Sequence, residues 1–179
     1  EIVLTGVNVG QYRQDELDLV GLIAQLERIE GLERIRISSI EPTTITNALL
    51  DWMSSSSKLC PYLHVPLQSG DDSILSSMNR PYNAETFTHL TQRAVAAIPH
   101  LGLGTDLMVG FPGETEETFA HTLSLARELP FSYFHVFTYS QRPGTAATKL
   151  PDQVPIAVAR ERAKKLAELS RLKRLAFAE

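Results

Sequence analysis

Apolar and polar positions along this chain fall into short, β-branched runs separated by longer stretches with helical spacing. The first run starts at Glu1-Ile-Val-Leu and closes at Gly6, and four more follow at Arg34 to Ser38, Tyr62 to Leu67, Gly104 to Val109 and Tyr133 to Thr138. Short apolar runs bounded by Gly, Pro or Ser predict strands. Between them, Leu19, Leu22, Ile23, Leu26 and Ile29 lie on one helical stripe, and Phe87, Leu90, Ala94, Val95 and Ile98 on another. Asn83 ahead of Ala84-Glu85, and Thr115 ahead of Glu116-Glu117, each offer a side-chain oxygen to the unpaired amides of a helix start, with acids in its positive first turn. Pro99 and Pro130 mark the ends of those helices, because proline has no N–H for the helical ladder.

Alternation of strand and helix predicts parallel pairing through right-handed crossovers. About five such units are too few for the eight that close a full barrel. The expected fold class is therefore α/β, a partial, open TIM-like barrel of parallel βα units, with one sheet edge bare where Glu1 begins. Ser54 to Ser57 reads as a surface turn at a helix end, and Pro143 to Pro155 as a turn-rich connection before a long final helix. The expected organisation is a βα domain over residues 1–150 and a basic helix over residues 151–179.

Composition supports a folded chain and narrows its class. With 179 residues, 43% of them hydrophobic and 21% charged, there is enough apolar material for a sizeable core, which excludes disorder, collagen and coiled coil. No apolar run approaches the roughly 20 residues of a membrane-spanning helix, and the start lacks the basic and apolar blocks of a signal peptide, so a cytoplasmic protein without a membrane partner is expected. Cys60 is the only cysteine and reads as a buried structural thiol. The net charge of −4 argues against a chain that coats nucleic acid uniformly. Yet Arg160, Arg162, Lys164, Lys165, Arg171, Lys173 and Arg174 crowd the last helix, which suits either RNA or an ordinary solvated face.

In parallel α/β folds the ligand lies outside the carboxyl ends of the strands. Five polar segments stand there: Thr5 to Gly10, Ser38 to Pro42, Pro66 to Asp71, Asp106 to Thr115 and Thr138 to Thr145. Glu41, Gln68, Asp106 and Glu114 are acceptors suited to hydroxyls or an ammonium, and Phe111, Phe137 and Tyr139 offer faces to a flat base. Glu114 also suits a plain helix-start acid. Asp106, inside an apolar strand, requires a partner. His64 and His135 alternate with apolar neighbours and read first as core histidines. A second reading makes Glu41, His64, Asp106 and His135 the ligands of a metal-dependent barrel lyase or aldolase; a third is a non-catalytic RNA-binding module using the last helix.

Leu4-Thr-Gly-Val-Asn-Val-Gly10, Ser38-Ser-Ile-Glu-Pro42, His64-Val-Pro-Leu-Gln-Ser-Gly70 with Met78-Asn-Arg-Pro-Tyr82, Thr105-Asp-Leu-Met-Val-Gly-Phe-Pro-Gly-Glu-Thr115 and Phe137-Thr-Tyr-Ser-Gln-Arg-Pro-Gly-Thr145, in this order, resemble the radical S-adenosylmethionine methylthiotransferases. Within that family, Ser38-Ser-Ile-Glu-Pro42 and Pro151-Asp-Gln-Val-Pro155 look most like the branch acting on N6-threonylcarbamoyladenosine beside the tRNA anticodon. The isopentenyladenosine and ribosomal-protein aspartate branches are the alternatives.

The resemblance implies a transferase in which an iron-sulfur cluster reduces S-adenosylmethionine to a radical that takes the hydrogen at adenine C2. Sulfur would come from a second cluster. It implies two [4Fe-4S] clusters in an intact protein and none here, since the family's Cys-x-x-x-Cys-x-x-Cys loop would precede Glu1. It further implies a preceding cluster domain, a following RNA-binding domain, tRNA as partner, and no activity for this stretch by itself. Arg13 stands where the family often has glycine. Carried over by residue, Gly6 and Asn8 would lie near the amino group of S-adenosylmethionine, Glu41, Gln68 and Ser69 near its ribose and methionine parts, Asp106 and Gly110 on the adenine side, and Phe137 and Tyr139 along the adenine pocket. Arg80 and Arg142 would meet RNA phosphate. No catalytic residue and no metal ligand is assigned.

Overall fold

The computed structural model describes all 179 residues. The chain opens with strand β1 (Ile2–Leu4), passes a small antiparallel hairpin of β2 (Arg13–Gln14) and β3 (Leu17–Asp18), and enters helix α1 (Leu19–Leu26). Then come β4 (Ile35–Ile37), α2 (Asn47–Ser55), β5 (Tyr62–His64), α3 (Asp72–Ser77), α4 (Ala84–Ala97), β6 (Gly102–Val109), α5 (Glu116–Glu128), β7 (Tyr133–Thr138) and α6 (Ile156–Ala178). All five expected strands form. β1 pairs with β4, and β6 with β5 and β7, every pair parallel. Parallel bridges from Ile35 to Leu59 and from Ser39 to His64 join β4 to β5, so the sheet runs β1-β4-β5-β6-β7 in chain order and does not close.

Both expected helix starts carry capping boxes: Asn83 with Thr86 on α4, and Thr115 with Thr118 on α5. The apolar stripes are shorter than their spacing predicts. Ile29 lies past the end of α1 and is half exposed, because the chain turns away at Gly31 with φ +78°, and Val95 sits on the outer side of α4. The hairpin at 13–18 was not anticipated. It turns through Asp15 at φ +53° and holds one apolar side chain, Leu17, too little for an alternating pattern to register.

Strand residues alternate between two environments. Ile35, Ile37, Leu63, Leu103, Leu107, Val109 and Phe134 are buried beneath the helices in one continuous core with Ile23, Leu50, Phe87, Phe119 and Leu166. Burying side chains of this size stabilises by roughly 1.5–3 kcal/mol each, before the entropy of ordering them is counted. Thr105 falls on the core-facing side of β6 between Leu103 and Leu107, where the pairing with the segment after β5 slips by one residue. Its hydroxyl accepts from Leu67 N (2.9 Å) and donates to Val65 O (2.7 Å), and pairing with β6 resumes at Gln68, held at φ +72°.

The last helix seals the far edge of the sheet. Ser170 Oγ accepts from Phe134 N (2.9 Å) and donates to Phe134 O (2.7 Å), which satisfies backbone groups on β7 that have no further strand. Lys173 Nζ donates to the carbonyls of Arg127 and Leu129 at the C-terminal end of α5. Arg162, 5% exposed, donates to the Glu114 carboxylate (2.6 Å) and carbonyl (3.1 Å), and Glu114 in turn accepts from Gly110 N (2.9 Å). Gly110 sits at φ +76°, where a Cβ would lie 2.5 Å from Ala159 Cβ, so α6 packs directly on its backbone. Arg162 and Lys173 of the last helix thus serve the fold, whereas Arg171 makes only an exposed pair with Glu168 on the same helix.

Removing one partner of the Arg162–Glu114 pair leaves a buried charge. Glu114→Ala is therefore expected to lower stability by about 3–5 kcal/mol, read from the urea midpoint. Asp71 caps α3 through Ser73 N and Ile74 N. Burial pushes its carboxyl up, but hydrogen bonds from the Ser73 and His121 side chains and from these amides outweigh that and hold it below the ordinary 3.8. Its stabilising contribution is complete above that value and is lost as pH falls through the lowered one. Thermal melts of Asp71→Asn between roughly pH 2 and 5, the range in which aspartates titrate, should show a shallower acid decline than the parent chain.

Candidate functional site

The face of the sheet turned away from the helices carries polar and aromatic side chains. Arg36, Tyr62, His64, Asp106, His135 and Phe137, with Ser38 and Ser39, line a broad hollow of about 410 Å³. Period-two alternation puts the strand residues there, next to core-facing positions on the same strand, and Ser38 and Ser39 follow the end of β4. Gly104 completes the pattern. The Tyr133 ring lies where its side chain would be, a Cβ falling 2.4 Å from the Tyr133 hydroxyl.

These side chains form one network. The Tyr62 and Tyr133 hydroxyls are 2.6 Å apart, Tyr133 Oη is 3.0 Å from His64 Nδ1, and His64 Nε2 is 3.1 Å from Asp106 Oδ1. The last contact supplies the partner that a strand carboxylate required. His135, opposite Asp106 in the β6–β7 register, stacks obliquely on His64 with ring centroids 5.6 Å apart. Burial, with Tyr62 beside it, holds the Tyr133 phenol protonated well beyond the ordinary tyrosine range. Arg36 lies over the Tyr62 ring and Arg174 over the Tyr133 ring.

A second depression of about 370 Å³ opens at the carboxyl ends of β6 and β7, lined by Met108, Phe111, Phe137, Tyr139, Arg142 and Thr145 among others. Tyr139 meets Phe111 edge to face at 5.3 Å, and its hydroxyl is buried without a partner. Across the sheet, Asn8 begins the turn at Val9–Gln11, and its Oδ1 is likewise buried and unpaired. Orphaned polar atoms of this kind are uncommon and costly in a native fold.

The residues singled out from the sequence fall into distinct settings. Asp106 and Phe137 line the hollow, and Phe137, Tyr139 and Arg142 line the depression. Gly6 is exposed after β1, with open space where a side chain would stand. Glu41 and Arg80 face one another at 3.5 Å. Gln68 exchanges backbone hydrogen bonds with β6. Ser69 and Gly110 point into the helix layer. The Ser69 hydroxyl meets Thr122 at 3.2 Å and accepts from Asp71 N, and Gly110 is covered by Ala159. Glu114 is occupied by Arg162. Tyr62, Tyr133 and Arg36 were not anticipated, although their alternation with core positions and the glycine facing Tyr133 are legible signals.

Residues 1–126 match the Radical SAM superfamily. The tRNA-2-methylthio-N(6)-dimethylallyladenosine synthase of Mycobacterium ulcerans (strain Agy99) is 44% identical over 178 residues, covering 94% of this chain and 34% of that protein. The threonylcarbamoyladenosine tRNA methylthiotransferase MtaB of Bacillus subtilis (strain 168) is 43% identical over 173 residues, 95% of this chain and 38% of its own length. Among solved structures, coproporphyrinogen III oxidase (HemN) from Escherichia coli superposes with a TM-score of 0.66 at 23% identity, over 85% of this chain and 37% of that one, a likeness of fold. The chain spans little more than a third of the length of these relatives. No helix is long and apolar enough to cross a membrane.

The fit of Gly104 beneath Tyr133 is open to test. Gly104→Ala should displace the ring and cost roughly 1–3 kcal/mol. In a double-mutant cycle with Tyr133→Ser, the combined loss in urea denaturation should be smaller than the sum of the single losses.

Proposed function

Because the chain belongs to the radical SAM superfamily, we propose that it is the central domain of a cytoplasmic tRNA methylthiotransferase, which adds a methylthio group to C2 of N6-threonylcarbamoyladenosine beside the anticodon. The observation that carries this reading is the 43–44% identity, over nearly all of this chain, to enzymes named for methylthiolating N6-modified adenosines in tRNA. Those names divide between dimethylallyl and threonylcarbamoyl substrates. The segment Ser38-Ser-Ile-Glu-Pro42 favours the second, and Ser38 and Ser39 line the hollow. Action on an isopentenyladenosine tRNA is the competing reading, supported by the dimethylallyladenosine synthases among the relatives.

The residues fit S-adenosylmethionine, which the superfamily's name implies. The unpaired Asn8 Oδ1 and Tyr139 Oη offer polar contacts near the strand ends, and Phe137 and Tyr139 suit an adenine face. When bound, that cofactor supplies one-electron chemistry and the methyl group. We assign Gly6 and Asn8 to its amino group, Glu41 and Gln68 to its ribose and methionine parts, and Asp106, Phe137 and Tyr139 to its nucleoside side. Ser69 and Gly110 hold the loops that carry these groups, through Thr122 and Ala159. A four-iron cluster does not fit the residues present. It needs several thiolates, and the chain offers Cys60 alone, just ahead of β5. Further domains of an intact protein would hold the clusters and much of the tRNA. From this chain, Arg142, exposed and free of ion pairs, meets a phosphate, and Arg80 does so at the cost of its link to Glu41.

Incubated with iron and sulfide without oxygen, the purified chain should acquire no four-iron cluster; absorbance near 400 nm (roughly, for thiolate-bound iron) with about four irons per chain would contradict this. Tyr139→Phe removes an orphaned hydroxyl and should leave the melting temperature unchanged or raised, while S-adenosylmethionine affinity in the intact enzyme falls by about 1–3 kcal/mol in calorimetry. Deletion of the gene, followed by mass spectrometry of nucleosides from bulk tRNA, tests the substrate. Loss of 2-methylthio-N6-threonylcarbamoyladenosine is expected. Its persistence with loss of the isopentenyl analogue would keep the chemistry and reject the branch.

A further inference from the structure

We propose that His64, Asp106 and His135 form a binding site for one divalent first-row metal ion of zinc's class, on the open face of the sheet. One ligand atom from each residue lies within 4.8 Å of the other two. In a tetrahedral zinc site with bonds of about 2.0–2.1 Å, neighbouring ligand atoms stand roughly 3.3 Å apart. His64 Nε2 and Asp106 Oδ1, at 3.1 Å, already have that spacing. His135 faces Asp106 across the β6–β7 ladder and is exposed, so a small rotation of its ring closes the third side.

The surroundings agree with this use. A metal-bound histidine usually donates its other ring N–H to an oxygen, which fixes the tautomer and the ring plane. His64 Nδ1 has that partner in the Tyr133 hydroxyl at 3.0 Å, and Tyr133 has its own in Tyr62 at 2.6 Å. Two imidazoles and a carboxylate, without thiolate, select zinc, iron(II), cobalt or nickel over magnesium or calcium. Three protein ligands on a face that opens into the 410 Å³ hollow leave positions for water or for an oxygen or nitrogen of a bound molecule. The site uses only Oδ1 of Asp106 and leaves Oδ2 for the S-adenosylmethionine contact assigned above; uptake of the ion is measured without S-adenosylmethionine or tRNA, so its success or failure is separate from that of the transferase reading.

The test is a calorimetric titration of the untagged chain with Zn²⁺ after stripping with a chelator, supported by the visible spectrum with Co²⁺. One ion per chain is expected. His135→Ala and Asp106→Ala should each weaken binding at least about tenfold, and Tyr133→Phe by roughly 10- to 100-fold, the usual effect of losing an outer partner. His121→Ala, His89→Ala and Cys60→Ser should leave it unchanged. His135 is exposed, so its variant keeps the test valid if His64→Ala does not fold; circular dichroism checks this. No Zn²⁺ uptake, uptake that survives His135→Ala, or uptake abolished by Cys60→Ser or His121→Ala would overturn the proposal.

Discussion

The buried pair between Arg162 and Glu114 is the interaction on which the rest of this structure depends. Its carboxylate holds the Gly110 amide and so fixes the turn after β6, while its guanidinium also reaches Glu116 in the first turn of α5 and lies over the Phe119 ring. Through those contacts one arginine docks α6 against the β6–α5 loop. From there the helix continues until Ser170 seals β7 and Lys173 caps α5. Desolvation makes such a pair a poor source of net stability, and Glu114 Oε2 and Arg162 Nε stay unpaired. What the pair supplies is definition: it leaves α6 a single register along the sheet.

With the helices committed to one face and α6 to one edge, the other face of the sheet is free for chemistry. A parallel sheet usually lies buried on both sides, and its strands then read as unbroken apolar runs. Here the alternation of Leu63 with Tyr62 and His64, and of Phe134 with Tyr133 and His135, belongs to a sheet with one wet or ligand-bearing face. At Gly104 the ring of Tyr133 takes the space of the missing side chain, and its hydroxyl lies within reach of His64 and Tyr62.

Much of this was legible in the sequence. The five strands, their parallel pairing, the open sheet and the caps at Asn83 and Thr115 all follow from local pattern and are present. The hairpin at Arg13–Asp18 was not legible, because two-residue strands carry no period. The placement of polar residues was harder to read. Ser69 and Asp106 both stand in polar contexts in the sequence, yet Asp106 faces the hollow by plain alternation along β6, whereas Ser69, after the positive φ of Gln68, is turned towards the helices. Likewise, nothing local marks Arg162 among the cations of its helix as the one that is buried. Its partner lies in a loop 48 residues earlier.

The agreement between strand order and chain order bears on how the molecule is assembled. Ile2 meets Ile35, Leu63 meets Leu103, and Thr105 meets Phe134, so every pairing closes a loop of only a few tens of residues. Loop-closure entropy grows slowly with length, and each unit can add to the edge left by the one before without disturbing earlier pairs. A chain emerging from the ribosome can therefore grow its sheet one strand at a time. Only α6 must wait, because the backbone it seals on β7 and the carboxylate it grips are made before it. Until that helix arrives, Phe134 on β7 lacks its Ser170 partner, and synthesis stalled near residue 155 would release a chain whose β7 edge is open to pairing with another copy.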